Sequence, residues 1–123
     1  MKFTLDRIGA AHVVRAYTPG RIRIGDRDIA TSVIVSPDEL IEPWRPRQLA
    51  ELEAADLEPV VALAPEVLLI GTGARQVFPA PAILAALHSR RIGFEVMDTG
   101  AACRTYNLLV AEDRRVAAAL LIE

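Results

Sequence analysis

At 123 residues, 52% hydrophobic and 24% charged, with a formal charge of −2, the chain has the make-up of one compact domain, 1–123. That length buries roughly two-thirds of the unfolded surface without staples. The near-neutral balance excludes a nucleic-acid binder, which needs a basic stripe to displace counterions.

The charges are dispersed, with eight basic and six acidic side chains in residues 1–47 and six and ten in residues 48–123. Lys2 is the only lysine, so nearly all positive charge is arginine, the residue suited to bidentate carboxylate or phosphate contacts. Cys103 is the only cysteine, which excludes an internal disulfide and a multi-cysteine metal site and suits a reducing compartment. The opening MKFTLDRIGAA is interrupted by Thr4, Asp6 and Arg7, unlike a signal peptide. The longest apolar run, Val116 to Ile122, is too short to span a bilayer. A cytoplasmic protein is expected.

The first third predicts β structure. His12 to Tyr17, Arg21 to Ile24 and Ile29 to Val35 are β-branched stretches separated by Thr18-Pro19-Gly20 and Gly25-Asp26, which favour tight reversals. Alternation in RIRIG puts Arg21 and Arg23 on one side of the ribbon and Ile22 and Ile24 on the other. Glu42-Pro43-Trp44-Arg45-Pro46 reads as a stiff, irregular connector, because each proline disfavours the helical region for its predecessor. Helices are expected over 47–54 and 56–63, the second capped by Asp56 and tolerating Pro59 only in its first turn.

From Glu66 the pattern changes. Val67 to Ile70 is a continuous apolar run, as in a strand buried on both faces. A helix over Pro81 to Arg91, a strand over Phe94 to Met97, a helix capped by Thr99 and a final strand over Val116 to Ile122 complete a β-α-β-α-β series. This order predicts an α/β fold with an N-terminal β-ribbon and a right-handed crossover between the first two strands of the series.

The strand exit Leu69 to Pro81, LIGTGARQVFPAP, looks like the start of a phosphate loop. The lysine and hydroxyl residue that such a loop needs are replaced by Ala74-Arg75, position 76 of the dinucleotide fingerprint is glutamine, and Val77 to Pro81 delay the helix. A nucleotide cradle is therefore not expected. A geometric argument remains: parallel strands at Val67 and Phe94 would send Gly71-Thr72-Gly73 and Asp98-Thr99-Gly100 off one edge of the sheet, where ligand crevices form. Gly71, Gly73, Arg75, Thr99 and Arg104 would then form a cleft for a small anion, helped by free helix amides. The bland alternative keeps the glycines as a turn and pairs Arg104 with Asp98 or Glu95.

Cys103, in the first turns of the same helix, has no histidine placed to activate it, since His12 and His88 belong elsewhere. Neither histidine suggests a metal, no pair of carboxylates stands out as catalytic, and no cofactor is implied. Trp44, in its proline-stiffened loop beside Arg45 and Arg47, is a candidate partner contact, although such a ring commonly folds over the core.

The order of features resembles the Mth-type domain family. Its relatives include mitochondrial complex I assembly factor 3, the adipogenesis-associated Mth domain proteins and many uncharacterised bacterial and archaeal proteins. The resemblance is carried by Tyr17 with Gly20-Arg21-Ile22-Arg23-Ile24, by Ser32-Val33-Ile34-Val35-Ser36-Pro37 and by Trp44. It continues through Leu68-Leu69-Ile70-Gly71-Thr72-Gly73, Glu95-Val96-Met97-Asp98-Thr99 with Ala102, Thr105-Tyr106-Asn107-Leu108-Leu109, and Arg114 to Leu120. The resemblance implies a three-layer α/β/α domain with a mixed central sheet and an N-terminal β-ribbon, no established enzymatic activity, and a scaffolding role through protein contacts. Two functions are thus carried forward: a non-enzymatic, assembly-factor-like interaction module, and a small-anion-binding module or enzyme at the strand-end cleft.

Overall fold

The computed structural model describes residues 11–123, so the opening stretch read above for a leader lies, through residue 10, outside the described residues. Strands β1 (Val14–Thr18), β2 (Arg21–Ile24) and β3 (Arg27–Ile29) form an antiparallel ribbon. The alternation seen in the sequence holds: Ile22, Ile24 and Ile29 are buried while Arg21 and Arg23 face solvent. Its reversals turn at Gly20 and Gly25, both at positive φ (91° and 57°), where side chains are disfavoured.

The expected strand over Ile29 to Val35 is in fact two. β3 ends at Ile29, and β4 (Ser32–Val35) joins the second sheet after the chain crosses between layers at Ala30-Thr31. Propensity is continuous across that break, because β-branched residues suit either sheet equally. The proline-rich connector likewise contains β5 (Leu40–Trp44), an edge strand of the second sheet, where a missing proline N–H costs no ladder bond.

The second sheet has the order β5-β4-β8-β6-β7, with β6 (Val67–Gly71) parallel to both β7 (Gly93–Met97) and β8 (Val116–Leu120). β4 runs antiparallel to β5 and β8, so the sheet is mixed. Helices α1 (Glu58–Leu63) and α2 (Pro81–Ser89) cover one face and α3 (Thr99–Ala111) with the ribbon covers the other. The three-layer expectation is met, with a ribbon sharing one outer layer. β8 and the two residues after it serve both cores by alternation. Ala117, Ala119 and Leu121 join the α1/α2 side, and Val116, Ala118, Leu120 and Ile122 join the α3 side. Its alanines let the two covering layers approach a central strand closely.

Between β5 and α1 the regular helix expected over 47–54 is absent. The chain instead makes 3₁₀ turns at Leu49–Glu51 and Ala54–Leu57, the second closed by reciprocal capping between Glu53 and Asp56. Asp56 thus sits inside a turn rather than capping α1, and Pro59 lies in the first turn of α1. Asp98, not Thr99, caps α3, its Oδ1 accepting from Ala101 N at 2.8 Å.

Candidate functional site

β6 and β7 are parallel neighbours, with Gly71 opposite Met97, so their exits do share one rim with the start of α3. The rim is occupied by the chain itself. Beyond β8, Leu121 N donates to Gly71 O at 3.0 Å, and Thr99 Oγ1 donates to Leu121 O at 2.9 Å while accepting from Gly73 N at 2.8 Å. Thr99 N in turn donates to Gly73 O at 2.8 Å. Ile122 N reaches Ser32 Oγ, Gly20 N reaches Ile122 O, and Glu123 N reaches Arg47 O, tying both sheets and the ribbon turn to this segment.

The glycines now have a physical explanation. A Cβ on Gly73 would stand 2.0 Å from the Glu123 carbonyl oxygen, at a φ of +98°, and one on Gly71 would stand 2.9 Å from Thr99 Oγ1. They are glycine because backbone crosses backbone there. Gly71, Gly73 and Thr99 come together as expected, but their polar groups bond one another, and Thr99 is 0% exposed. The helix amides expected to face an anion are engaged too, Thr99 N by Gly73 and Ala101 N by Asp98. Arg75 is exposed on the bend after Gly73, its carbonyl accepting from Thr72 Oγ1. Arg104 lies away on α3, beside Gly100 and Tyr17. Trp44 is corrected as well: it is 4% exposed, and its indole N–H donates to Asp56 O at 2.9 Å. A ring so enclosed supports the core and presents no anchor to a partner.

Along α3, Cys103 is buried, and burial pushes its thiol up to about 12, with Asp98 adding to the rise and Arg104 opposing it. Burial thus favours the protonated thiol over the nucleophilic thiolate. Tyr106, whose hydroxyl donates to His12 O at 2.7 Å, is also raised by burial. His12 is held at Ser36 O and His88 packs edge-on against Phe94, so neither serves Cys103. Among the described residues, no group of three or more His, Cys, Asp or Glu could hold a metal ion, and no helix is long and apolar enough to cross a membrane.

Two surface features remain that sequence reasoning missed. The first is the loop between β6 and α2, where Phe78 is 67% and Val77 45% exposed. They flank a hollow of about 330 Å³ walled by Leu49, Leu52, Pro79 and Ile83. The loop is pinned at its base, because Thr72 Oγ1 bonds the carbonyl of Arg75 and the amide of Val77, and Gln76 Nε2 bonds Val96 O. An aromatic residue in VFPAP, with no periodic partner, was the available signal. The second is a hollow of about 230 Å³ between β1 and α3, lined by Arg15, Tyr17, Gly100, Cys103 and Arg104.

A three-layer α/β sandwich with an N-terminal ribbon, an apolar loop and a self-filled strand rim defines the class: a small α/β domain in which no catalytic constellation is assembled among the described residues. The chain belongs to the family described as protein of unknown function (DUF498/DUF598), whose model matches residues 14–121. A Bordetella pertussis protein whose solution structure is described as a Mth938-like domain is 33% identical, with a TM-score of 0.80 over 92% of this chain and 87% of that one. NADH dehydrogenase (ubiquinone) 1 alpha subcomplex assembly factor 3 of Danio rerio is 33% identical over 114 residues, covering 91% of this chain but 65% of that protein. The 13 kDa major membrane protein of Francisella tularensis subsp. holarctica (strain LVS) is 27% identical over 117 residues, 94% of this chain and 95% of that protein. The Mth-type resemblance is thereby confirmed.

Proposed function

We propose that this domain is a non-enzymatic protein-interaction module of the assembly-factor kind, engaging its partner through the Val77–Phe78 loop and the apolar hollow beside it. The observation that carries the reading is Phe78, 67% exposed on a loop held by three side-chain hydrogen bonds. An aromatic ring displayed on a pre-ordered backbone loses little entropy when a partner covers it, and burying it contributes about 1.5–3 kcal/mol. Buried aromatic anchors of this kind dominate interface energetics. The likeness to complex I assembly factor 3 supports the same direction, and that protein's own partners belong to its full length. A buried, protonated Cys103 weighs against thiol chemistry.

A cytoplasmic setting goes with this reading, which the lone cysteine suits. The membrane-protein name of the Francisella relative points the other way, and fractionation of tagged protein decides between them. The module itself is tested by placing a photo-crosslinking residue at position 78 and, as a control, at Arg90. Discrete conjugates from position 78 alone are expected, and Phe78→Ser should abolish co-purification of the conjugated protein. Equal recovery with Phe78→Ser would refute the reading. A second reading, small-anion binding, draws support from Arg104, which lies beside Gly100 and Tyr17 rather than at the strand exits.

A further inference from the structure

We infer that the hollow between β1 and the first turns of α3 is an oxyanion site that takes a carboxylate or phosphate group between Arg15 and Arg104. The register of β1 on β2 slips between Val14, opposite Ile24, and Ala16, opposite Arg23. The extra residue is Arg15. A bulge of this kind takes its extra residue out of the ladder, and Arg15 is exposed and among the residues that line the hollow. The wall is held firmly, because the Asn107 side chain bonds both the amide and the carbonyl of Val14 (2.9 and 2.7 Å), as a neighbouring strand would.

On the opposite wall Gly100 leaves room. A Cβ there would stand 3.5 Å from Arg104 Nη1 and 3.6 Å from the Tyr17 ring. Six other arginines each hold a carboxylate: Arg23, Arg27, Arg45, Arg47, Arg90 and Arg114. Arg15 and Arg104 form no ion pair among the described residues, yet they line one hollow. Guanidinium groups so placed suit an oxyanion, which they bind through charge-assisted, often bidentate hydrogen bonds.

The Tyr17 ring lies beside Gly100 on this wall, and its hydroxyl is shielded from solvent with no hydrogen-bond partner among the described residues. Asp98 opposes the site, with Oδ1 3.4 Å from the Gly100 Cβ position, but that oxygen is engaged by Ala101 N. Two guanidinium groups against one carboxylate leave the hollow positive. Its volume of about 230 Å³ admits a small anion with waters, each water needing about 30 Å³.

The test is a ¹H–¹⁵N titration of the protein at constant ionic strength with inorganic phosphate, acetate and an Asp-Glu tetrapeptide, with chloride as the reference. Saturable shifts at Arg15, Gly100 and Arg104 are expected with at least one oxyanion and none with chloride. Saturation by phosphate or acetate at lower concentration than by the peptide identifies a free small ligand, and the reverse order identifies an acidic side chain of a partner. Arg15→Gln and Arg104→Gln should each weaken binding about tenfold, the loss of one charge-assisted contact. Gly100→Ala keeps helical backbone and meets only ordinary contact distances, so it should stay folded while narrowing the hollow and weakening binding. Shifts that fail to saturate with every oxyanion, or variants that titrate like wild type, overturn the inference. Phe78→Ser should leave this titration unchanged, which separates it from the interaction reading.

Discussion

Thr99→Val removes one hydroxyl while keeping the shape of the side chain. The oxygen accepts from Gly73 N at 2.8 Å and donates to Leu121 O at 2.9 Å, both bonds being buried. Valine therefore leaves one amide and one carbonyl without partners in a site from which water is excluded. Each such group costs about 1–3 kcal/mol, and two neighbouring losses relax together, so about 3 kcal/mol is expected in all. For a domain of this length, 1 kcal/mol corresponds to roughly 4 °C in Tm, which gives a fall of about 12 °C. Urea denaturation and thermal melting measure it, with Thr99→Ser as the control. Serine keeps both bonds and loses one methyl, a cost of about 1 kcal/mol. If valine lies within about 0.5 kcal/mol of wild type, or serine falls as far as valine, the hydroxyl is not the clasp at the strand exits.

Gly73→Ala should be more damaging, because the new Cβ meets the Glu123 carbonyl at a φ that side chains disfavour; a loss of about 3 kcal/mol or more, or failure to accumulate folded protein, is expected from expression and denaturation assays. Cys103 should resist iodoacetamide at pH 8 in native protein and react promptly in urea, as mass spectrometry would show. Its folded pKa of about 12 exceeds the ordinary 9, so the stability it contributes is complete below pH 9 and declines as pH rises towards 12; Cys103→Ala should flatten that part of the curve relative to wild type. Asp56 is held below the usual carboxylate range first by its hydrogen bonds to Arg45, and it also accepts from Glu53 N. Its contribution is present above the unfolded carboxylate pKa and fades as pH falls below about 4. Asp56→Ala should cost about 1–2 kcal/mol at pH 7 and less in acid, read by denaturation at both pH values.

Much of the architecture was legible in local pattern. Alternation in RIRIG assigned the inner and outer faces of the ribbon, and unbroken apolar runs marked β6 and β8 as strands covered on both sides. The helices α2 and α3 were found through their apolar stripes and ends. β5 was hidden because edge strands tolerate proline, and the break between β3 and β4 because strand propensity does not say which sheet a strand joins. At the candidate site, the meeting of Gly71, Gly73 and Thr99 followed from strand direction, while the segment that fills it did not.

The sequence by itself determined the inner and outer faces of the ribbon and the two-sided burial of β6 and β8. These are consequences of side-chain periodicity, which a short window contains. Tertiary structure alone decided that Leu121–Glu123 closes the rim, that Trp44 points inward, that Arg15 and Arg104 line one hollow, and that Phe78 stands in solvent. The bond from Ile122 N to Ser32 Oγ joins residues 90 positions apart. Which donor meets which acceptor over such a separation depends on how all the layers pack at once, and no local run of residues carries that information.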